Sequence, residues 1–220
     1  MNDLIFQNRL RKLLGNEHSN IPNLVVNVYG LVFISILSFL LGAYMFNHII
    51  SNVMAFVAII ATFPLLFAVI FSESPLMMVI FAFVMGFSYH PVFAQIEMID
   101  DTIIPEALCI TLVLFIGLTF FALSCPDLVS FQFYGFLHSA LSTLIVIGIV
   151  NIFYQNSFIE LATIYVSIVV FSGFVIYDTQ NLFHSTRSPV HHALHLFLDF
   201  INLFIDIIRL LTKEKLKKKN

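Results

Sequence analysis

Long apolar stretches separated by short polar breaks dominate this chain. Six of them are about 20 residues or longer, the length that crosses a bilayer as an α-helix, and a seventh is shorter and more polar. The stretches are Leu24 to Phe46, Val53 to Phe71, Leu76 to Ile96, Ile103 to Ser124, Phe131 to Phe153, Phe158 to Leu182 and Ala193 to Leu211. The pattern predicts an all-α integral membrane protein, a seven-helix bundle of six spans plus a C-terminal seventh helix.

The composition also favours a membrane protein. Of the 220 residues, 60% are hydrophobic and only 10% are charged, whereas a soluble domain is about 25% charged. No Asp, Glu, Lys or Arg occurs from His18 to Ser72, a run long enough for two crossings. We therefore expect lipid to surround most of the chain.

Basic residues are confined to the two ends of the chain. All ten lie between Met1 and Lys12 or beyond Thr186, and the stretch between them is acidic. Because cations gather on the cytosolic side of membrane proteins, both termini are predicted to face the cytosol. This gives a cytosolic amphipathic segment at residues 1–23, a transmembrane bundle at 24–211 and a cytosolic polybasic tail at 212–220.

Two cytosolic termini conflict with seven full crossings, which would end on the side opposite to their start. The seventh helix is therefore the candidate for a re-entrant or half-buried helix. In this topology the acidic segment from Glu97 to Glu106 lies on the non-cytosolic side. The terminal Lys217 and Lys218 resemble a cytosolic dilysine retrieval signal, which favours the endoplasmic reticulum membrane.

Two aspartates lie within otherwise apolar helices: Asp178 in the sixth and Asp199 in the seventh. An ionisable residue at membrane depth costs several kcal/mol unless it is paired or wet, so both are candidate functional residues. An antiparallel hairpin centred near Arg187 places them at similar depth, where two carboxylates can share a proton. The spacing indicates a proton-operated latch, and the alternative is that each aspartate only caps a helix or meets a headgroup.

Further polar residues follow Asp199 along one face of the seventh helix. Asn202, Asp206 and Arg209 recur at helical spacing, and Arg209 can pair with Asp206. With Asn181 at the end of the sixth helix, they are possible pore-lining residues.

Short motifs in several predicted helices carry a family resemblance. They are Asn27-Val28-Tyr29-Gly30, Gly42-Ala43-Tyr44, Gly86, Pro91, Pro105, Gly173-Phe174, Tyr177-Asp178-Thr179-Gln180, and His192 with Leu196 to Asn202. Together they resemble the Bax inhibitor-1 family. The resemblance implies a seven-helix bundle with a central last helix and a pH-sensitive calcium leak gated by a di-aspartyl pair. Asp178 and Asp199 occupy those positions, as pH sensor, gate and candidate calcium ligands.

The resemblance has further implications for location and partners. It implies an endoplasmic reticulum protein that restrains apoptosis and regulates calcium stores. The expected partners are calcium, the lipid bilayer and, by resemblance, death-regulating membrane proteins, with no nucleic acid, no cofactor and no enzymatic activity. Two departures matter: the second span lacks the arginine of a basic latch in bacterial relatives, and His195 replaces an acid of the family's eponymous animal protein.

Other functions stay open at this point. One is a membrane-embedded interaction protein that regulates cell death without transport. Another is an intramembrane aspartyl protease, in which two aspartates activate a water molecule. Those proteases carry Gly-x-Gly-Asp at the second aspartate, whereas Phe197 and Leu198 precede Asp199 here.

Histidines give a weaker signal. His191, His192 and His195 have a helical spacing that could bind a transition metal, although histidines at a membrane boundary more often meet water or headgroups. His90 and His138 lie inside other spans and are predicted to make buried polar contacts between helices.

Overall fold

The computed structural model describes residues 21–45, 52–125 and 130–219, which form seven α-helices and no β-strand. The helices are α1 (Ile21–Tyr44), α2 (Asn52–Ser72), α3 (Pro75–Ile99), α4 (Ile103–Ser124), α5 (Phe131–Tyr154), α6 (Ser157–Asn181) and α7 (Pro189–Lys219). Helices α1 to α6 are long and apolar enough to cross a membrane. The predicted all-α membrane bundle is confirmed, whereas the N-terminal amphipathic segment lies almost wholly outside the described residues.

Large apolar side chains on the helix surfaces identify the solvent of this protein. Phe63, Phe120 and Val169, for example, are 64%, 67% and 70% exposed. In water, leaving such side chains exposed would cost about 25 cal/mol of free energy for each Å² of apolar surface. In a bilayer, hydrocarbon covers them instead. The chain is therefore a multi-pass membrane protein.

The described residues divide into two compact units. The first contains residues 99–125, 130–184 and 198–219. The second contains residues 21–45, 52–98 and 185–197. Both predicted aspartates, Asp178 and Asp199, belong to the first unit.

In the second unit, α1 and α3 approach each other closely at two glycines. A Cβ atom at Gly86 would lie 2.9 Å from the Phe39 Cα and closer still to the Phe39 carbonyl oxygen. A Cβ atom at Gly42 would lie 3.0 Å from the Phe87 backbone nitrogen. Small residues let helix backbones meet in this way, which compensates for the weak hydrophobic drive to association in lipid.

Two side-chain hydrogen bonds reinforce the same helix pair. Ser38 Oγ donates to the Val79 carbonyl at 2.9 Å, and His90 Nδ1 lies 2.8 Å from the Ala43 carbonyl oxygen. His90 is buried, as the sequence predicted. These bonds satisfy polar groups that hydrocarbon cannot satisfy, so they fix the register of α1 on α3.

The prediction for His138 is wrong. Its side chain is exposed, and its Nδ1 lies 3.1 Å from the Tyr134 carbonyl oxygen of its own helix, α5. The ring also lies edge-on to Phe174, with 5.2 Å between ring centroids. A contact within one helix and with a neighbouring aromatic ring satisfies this histidine without burial.

In the first unit, α6 packs against both α4 and α5. The C-terminal part of α7 supplies several fully buried large side chains, since Phe200, Leu203 and Phe204 have no exposed surface. Phe200 meets Phe115 of α4 in an edge-to-face contact with 5.5 Å between centroids. Burial within protein explains how α7 keeps a polar stripe that lipid would not tolerate.

Helix α7 is uninterrupted. The sequence predicted a segment from Ala193 to Leu211, but the helix begins at Pro189 and ends at Lys219. Its 31 residues rise about 46 Å at 1.5 Å per residue, more than the thickness of a hydrocarbon core. The sequence left open whether the seventh helix crosses fully, is re-entrant or is half-buried; the structure shows one unbroken helix.

Candidate functional site

The structure brings Asp178 of α6 and Asp199 of α7 together. Their residues are 5% and 6% exposed, and the carboxyl group of Asp199 is in hydrogen-bond contact with that of Asp178. The Oδ2 atom of Asp199 is buried and has no hydrogen-bond partner among the residues that the structure describes. Two carboxylates in a low dielectric repel each other, so this contact requires at least one shared proton. A shared proton therefore links α6 to α7 at this point.

Gln180 fixes the end of α6 that carries Asp178. Its buried side chain donates from Nε2 to the carbonyl oxygens of Ala122, at 3.0 Å, and Cys125, at 2.6 Å. These carbonyls belong to the C-terminal end of α4, where backbone acceptors lack partners within the helix. Sequence reasoning named Gln180 only as part of a family motif, and its hydrogen bonds to the end of another helix were not predicted.

Asp206 lies further along α7, toward its C-terminal end. It is buried, accepts a hydrogen bond from Ser167 Oγ of α6, and its Oδ1 lies 3.4 Å from Nη1 of Arg209. The predicted pairing of Arg209 with Asp206 is therefore present. Asn202 donates instead to the Leu198 carbonyl of its own helix at 2.8 Å.

Glu160, in the first turn of α6, is a functional candidate that sequence reasoning missed. Its Oε2 lies 2.6 Å from Nζ of Lys213, and its Oε1 lies 3.6 Å from Nη2 of Arg209. The sequence could have predicted this contact. The antiparallel hairpin that sets Asp178 opposite Asp199 also sets the start of α6 opposite the first lysines after Arg209. Glu160 is the acid at that position.

A cavity of about 510 Å³ adjoins these groups in the first unit. Polar residues from α5, α6, α7 and the connection between α5 and α6 line it, among them Asn151, Gln155, Glu160, Ser167, Asn202, Asp206 and Arg209. Three of the four predicted pore-lining residues therefore share one cavity. Asn181 does not line it, and neither do Asp178 and Asp199.

The connection between α3 and α4 binds the C-terminal end of α7. Lys215 Nζ lies 3.1 Å from Asp100 Oδ2 and 3.7 Å from Glu106 Oε1. The expectation that the acidic segment and the basic tail face opposite sides of the membrane is wrong. The reason is the length of α7, which continues past Leu211 and carries Lys215 to these acids.

Asp100 should titrate at unusually low pH. Hydrogen bonds from the Thr102 hydroxyl, at 2.6 Å, and the Thr102 backbone N–H, at 3.0 Å, lower its pKa to about 2, and Lys215 adds to the effect. Any folding stability that comes from the ion pair of Asp100 with Lys215 is fully present above pH 3.8, the ordinary aspartate pKa. It is lost as the pH falls through about 2.

We expect Thr102→Val to raise the titration midpoint of Asp100 more than Lys215→Gln does, because the hydrogen bond from the Thr102 hydroxyl lowers the Asp100 pKa more than Lys215 does. Carbon-13 NMR of labelled aspartate carboxyl groups in micelles measures both midpoints. A larger rise in the Lys215 variant would contradict this ranking.

The histidines at the start of α7 do not form a metal-binding site among the described residues. The rings of His191 and His195 lie 4.6 Å apart, and Arg187 Nη1 is in contact with His191 Nε2. Across the described parts of the chain, no three His, Cys, Asp or Glu side chains are placed to hold one metal ion. The structure thus gives no support to the transition-metal hypothesis.

Six apolar helices, with a buried seventh that meets the sixth at a pair of aspartates, define a multi-pass membrane protein with a titratable centre. The family model described as an inhibitor of apoptosis-promoting Bax1 matches residues 21–215. The chain belongs to this family, the Bax inhibitor-1 family.

Individual relatives agree with this assignment. An uncharacterized protein of Campylobacter jejuni is 29% identical over 92% of this chain and 94% of its own length. Bax inhibitor 1 of Drosophila melanogaster is 31% identical over 66% of this chain and 60% of its own length. The Golgi anti-apoptotic protein of vaccinia virus is 36% identical over 51% of this chain and 48% of its own length. The chain thus spans about half to three fifths of the two named relatives.

Proposed function

We propose that this protein is a pH-sensitive calcium leak channel of an intracellular membrane, gated by Asp178 and Asp199, and that it restrains cell death by regulating calcium stores. The observation that carries the proposal is the contact between these two buried carboxyl groups, one on each of two neighbouring helices. The family and the named anti-apoptotic relatives support the role in cell death.

Protonation supplies the gating force. With one shared proton the two carboxyl groups attract each other and hold α6 against α7. When the second proton leaves, two charges about 4 Å apart repel by about 4 kcal/mol at an effective dielectric constant of 20. Calcium flux should therefore rise as the pH rises.

Oxygen chemistry makes calcium the proposed ion. Calcium binds six to eight oxygen atoms, and carboxylates are among its preferred ligands. Asp178 and Asp199 supply four such oxygens, and Asn202 and Asp206 follow toward the cavity. In this proposal the calcium ion is the transported substrate, and the protein is not an enzyme and has no resident cofactor.

We place the C-terminal end of α7 in the cytosol because of its lysines, and the membrane is that of the endoplasmic reticulum. The contacts of Lys215 then put Asp100 and Glu106 on the cytosolic side as well. Because α1, α2 and α3 would cross the membrane three times before Asp100, the N-terminus lies on the other side in this proposal, which gives up the cytosolic N-terminus predicted from Arg9, Arg11 and Lys12.

Calcium flux into liposomes that contain the purified protein tests the proposal between pH 5 and pH 8. Wild-type flux should rise at least tenfold across this range, because about 1.4 kcal/mol of repulsion already changes an equilibrium tenfold. Asp178→Asn and Asp199→Asn should both lose this rise, since an amide cannot ionise. Asp101→Asn, the same change at an exposed acid, is the matched control and should behave as wild type.

Two results would contradict different parts of the proposal. Wild-type flux no greater than that of empty liposomes at every pH would exclude the leak. Flux from both aspartate variants that follows the wild-type pH profile would exclude the gate while leaving the leak.

The rival function, interaction without transport, predicts a different cellular result. Under that function the double variant Asp178→Asn/Asp199→Asn would protect stressed cells as well as wild type. Under the proposed leak, protection and the lowering of stored calcium should be lost together. Paired measurement of cell survival and of calcium in the endoplasmic reticulum distinguishes the two.

A further inference from the structure

Helices α6 and α7 share a series of polar contacts along their antiparallel interface. Each contact joins one residue of α6 to one or two residues of α7. Positions that come earlier along α6 pair with positions that come later along α7. The contacts are Asp178 with Asp199, Ser167 with Asp206, and Glu160 with Arg209 and Lys213. We call the last of these, the ion pairs of Glu160, the outer clamp.

The outer clamp is the part of this series that water can reach. The Glu160 side chain is 35% exposed, and those of Arg209 and Lys213 are 42% and 28% exposed. The cavity of about 510 Å³ adjoins both Glu160 and Arg209. Arg209 also contacts Asp206, which links the clamp to the buried middle contact.

We propose that Glu160 is a positioning residue for the gate, because its ion pairs hold the outer ends of α6 and α7 together while Asp178 and Asp199 separate. This inference rests on the proposed calcium leak and deepens it by naming the point about which the gate moves.

The dimensions of α7 make such a movement small. Asp199 and Lys213 are 14 residues apart, about 21 Å of helix, so a tilt of about 10° around the clamp moves Asp199 by about 4 Å. That distance is enough to break a hydrogen bond between two carboxyl groups. A local tilt can therefore open the aspartate contact without parting the two helices along their whole length.

Loss of the clamp should favour the open state. Without Glu160, Arg209 and Lys213 lose the partner that ties them to α6, so α7 leaves α6 more readily. Salt should have a similar effect on the wild type, because it screens ion pairs that are partly exposed. The buried contact between Ser167 and Asp206 is shielded from this screening.

Calcium flux into liposomes at pH 7.0, at 0.05 M and 0.5 M KCl as chosen conditions of about tenfold different ionic strength, tests the inference. Glu160→Gln should raise flux about threefold at low salt and remove its salt response, an effect typical of one partly exposed ion pair. Glu160→Asp, which keeps the charge, should stay near wild type. Glu214→Gln is the matched control, because Glu214 pairs with Lys218 of the same helix at 2.6 Å.

A second measurement does not depend on transport. Melting temperatures of wild type, Glu160→Gln, Lys213→Gln and the double variant in detergent form a double-mutant cycle. The outer clamp predicts a coupling of about 2 °C between the two positions.

The outcomes separate this inference from the proposed leak. Flux in Glu160→Gln that equals wild type at both salt concentrations, or a Glu160→Asp variant as leaky as Glu160→Gln, would overturn the inference. If wild type shows no flux at all, the proposed leak fails. The double-mutant cycle of melting temperatures then tests the outer clamp by itself. Coupling there supports it, and zero coupling overturns it.

Discussion

Gly86→Ala is expected to lower the melting temperature of the protein by about 9 °C. The new methyl group would meet the backbone of Phe39, including its Cα at 2.9 Å, and backbone atoms cannot rotate away as a side chain can. Overpacking of this kind costs about 3 kcal/mol, and each kcal/mol lowers the melting temperature by about 3 °C in a chain of this size. Thermal unfolding in detergent micelles, followed by circular dichroism, measures the effect.

Gly117→Ala on α4 is the matched control for that experiment. A Cβ atom there meets nothing within 4 Å, so only the helix propensity of alanine remains. Alanine is better than glycine in a helix by about 1 kcal/mol, and the melting temperature should rise slightly. Equal changes in the two variants would contradict the close approach of α1 and α3.

Gln180→Leu is expected to lower the melting temperature by about 6 °C. Leucine keeps the volume but removes both hydrogen bonds to the C-terminal end of α4, from Ala122 and Cys125. Leaving buried backbone acceptors without donors costs about 2 kcal/mol in total, which corresponds to about 6 °C at this chain length.

The same variant should disturb the proposed gate, since Gln180 lies two residues after Asp178. Gln132→Leu on α5 is the control, because Gln132 is exposed and the substitution leaves those carbonyls untouched. An unchanged melting temperature in Gln180→Leu would show that water or another donor replaces the amide.

The six apolar helices could be predicted because lipid imposes one requirement along the whole length of each span. Hydrocarbon satisfies no backbone polar group, so every span must be a long apolar helix, and hydropathy alone identifies it. The predicted first residue of α4, Ile103, and its last, Ser124, agree with the structure. The ends of α7 could not be predicted in this way, because protein contacts rather than lipid stabilise its polar terminal turns.

The contact of Asp178 with Asp199 was accessible to sequence reasoning because both lie on helices joined by one short connection. Contacts between helices that are distant in sequence were not accessible. Lys215 with Asp100 is an example, since the positive-inside rule assigned the two to opposite sides while the length of α7 unites them. The positive-inside rule describes the loops between spans. It fails where a long helix carries its own charged residues to the other side of the membrane.

The lysines in the last turns of α7 show what the continuity of this helix means for any partner that binds them. Lys217 and Lys218 belong to the last turns of that helix, and Lys218 pairs with Glu214 at 2.6 Å. Successive side chains on a helix point about 100° apart. A partner that binds these two lysines in an extended conformation would therefore first have to unwind the end of α7, so its binding would compete with helix formation.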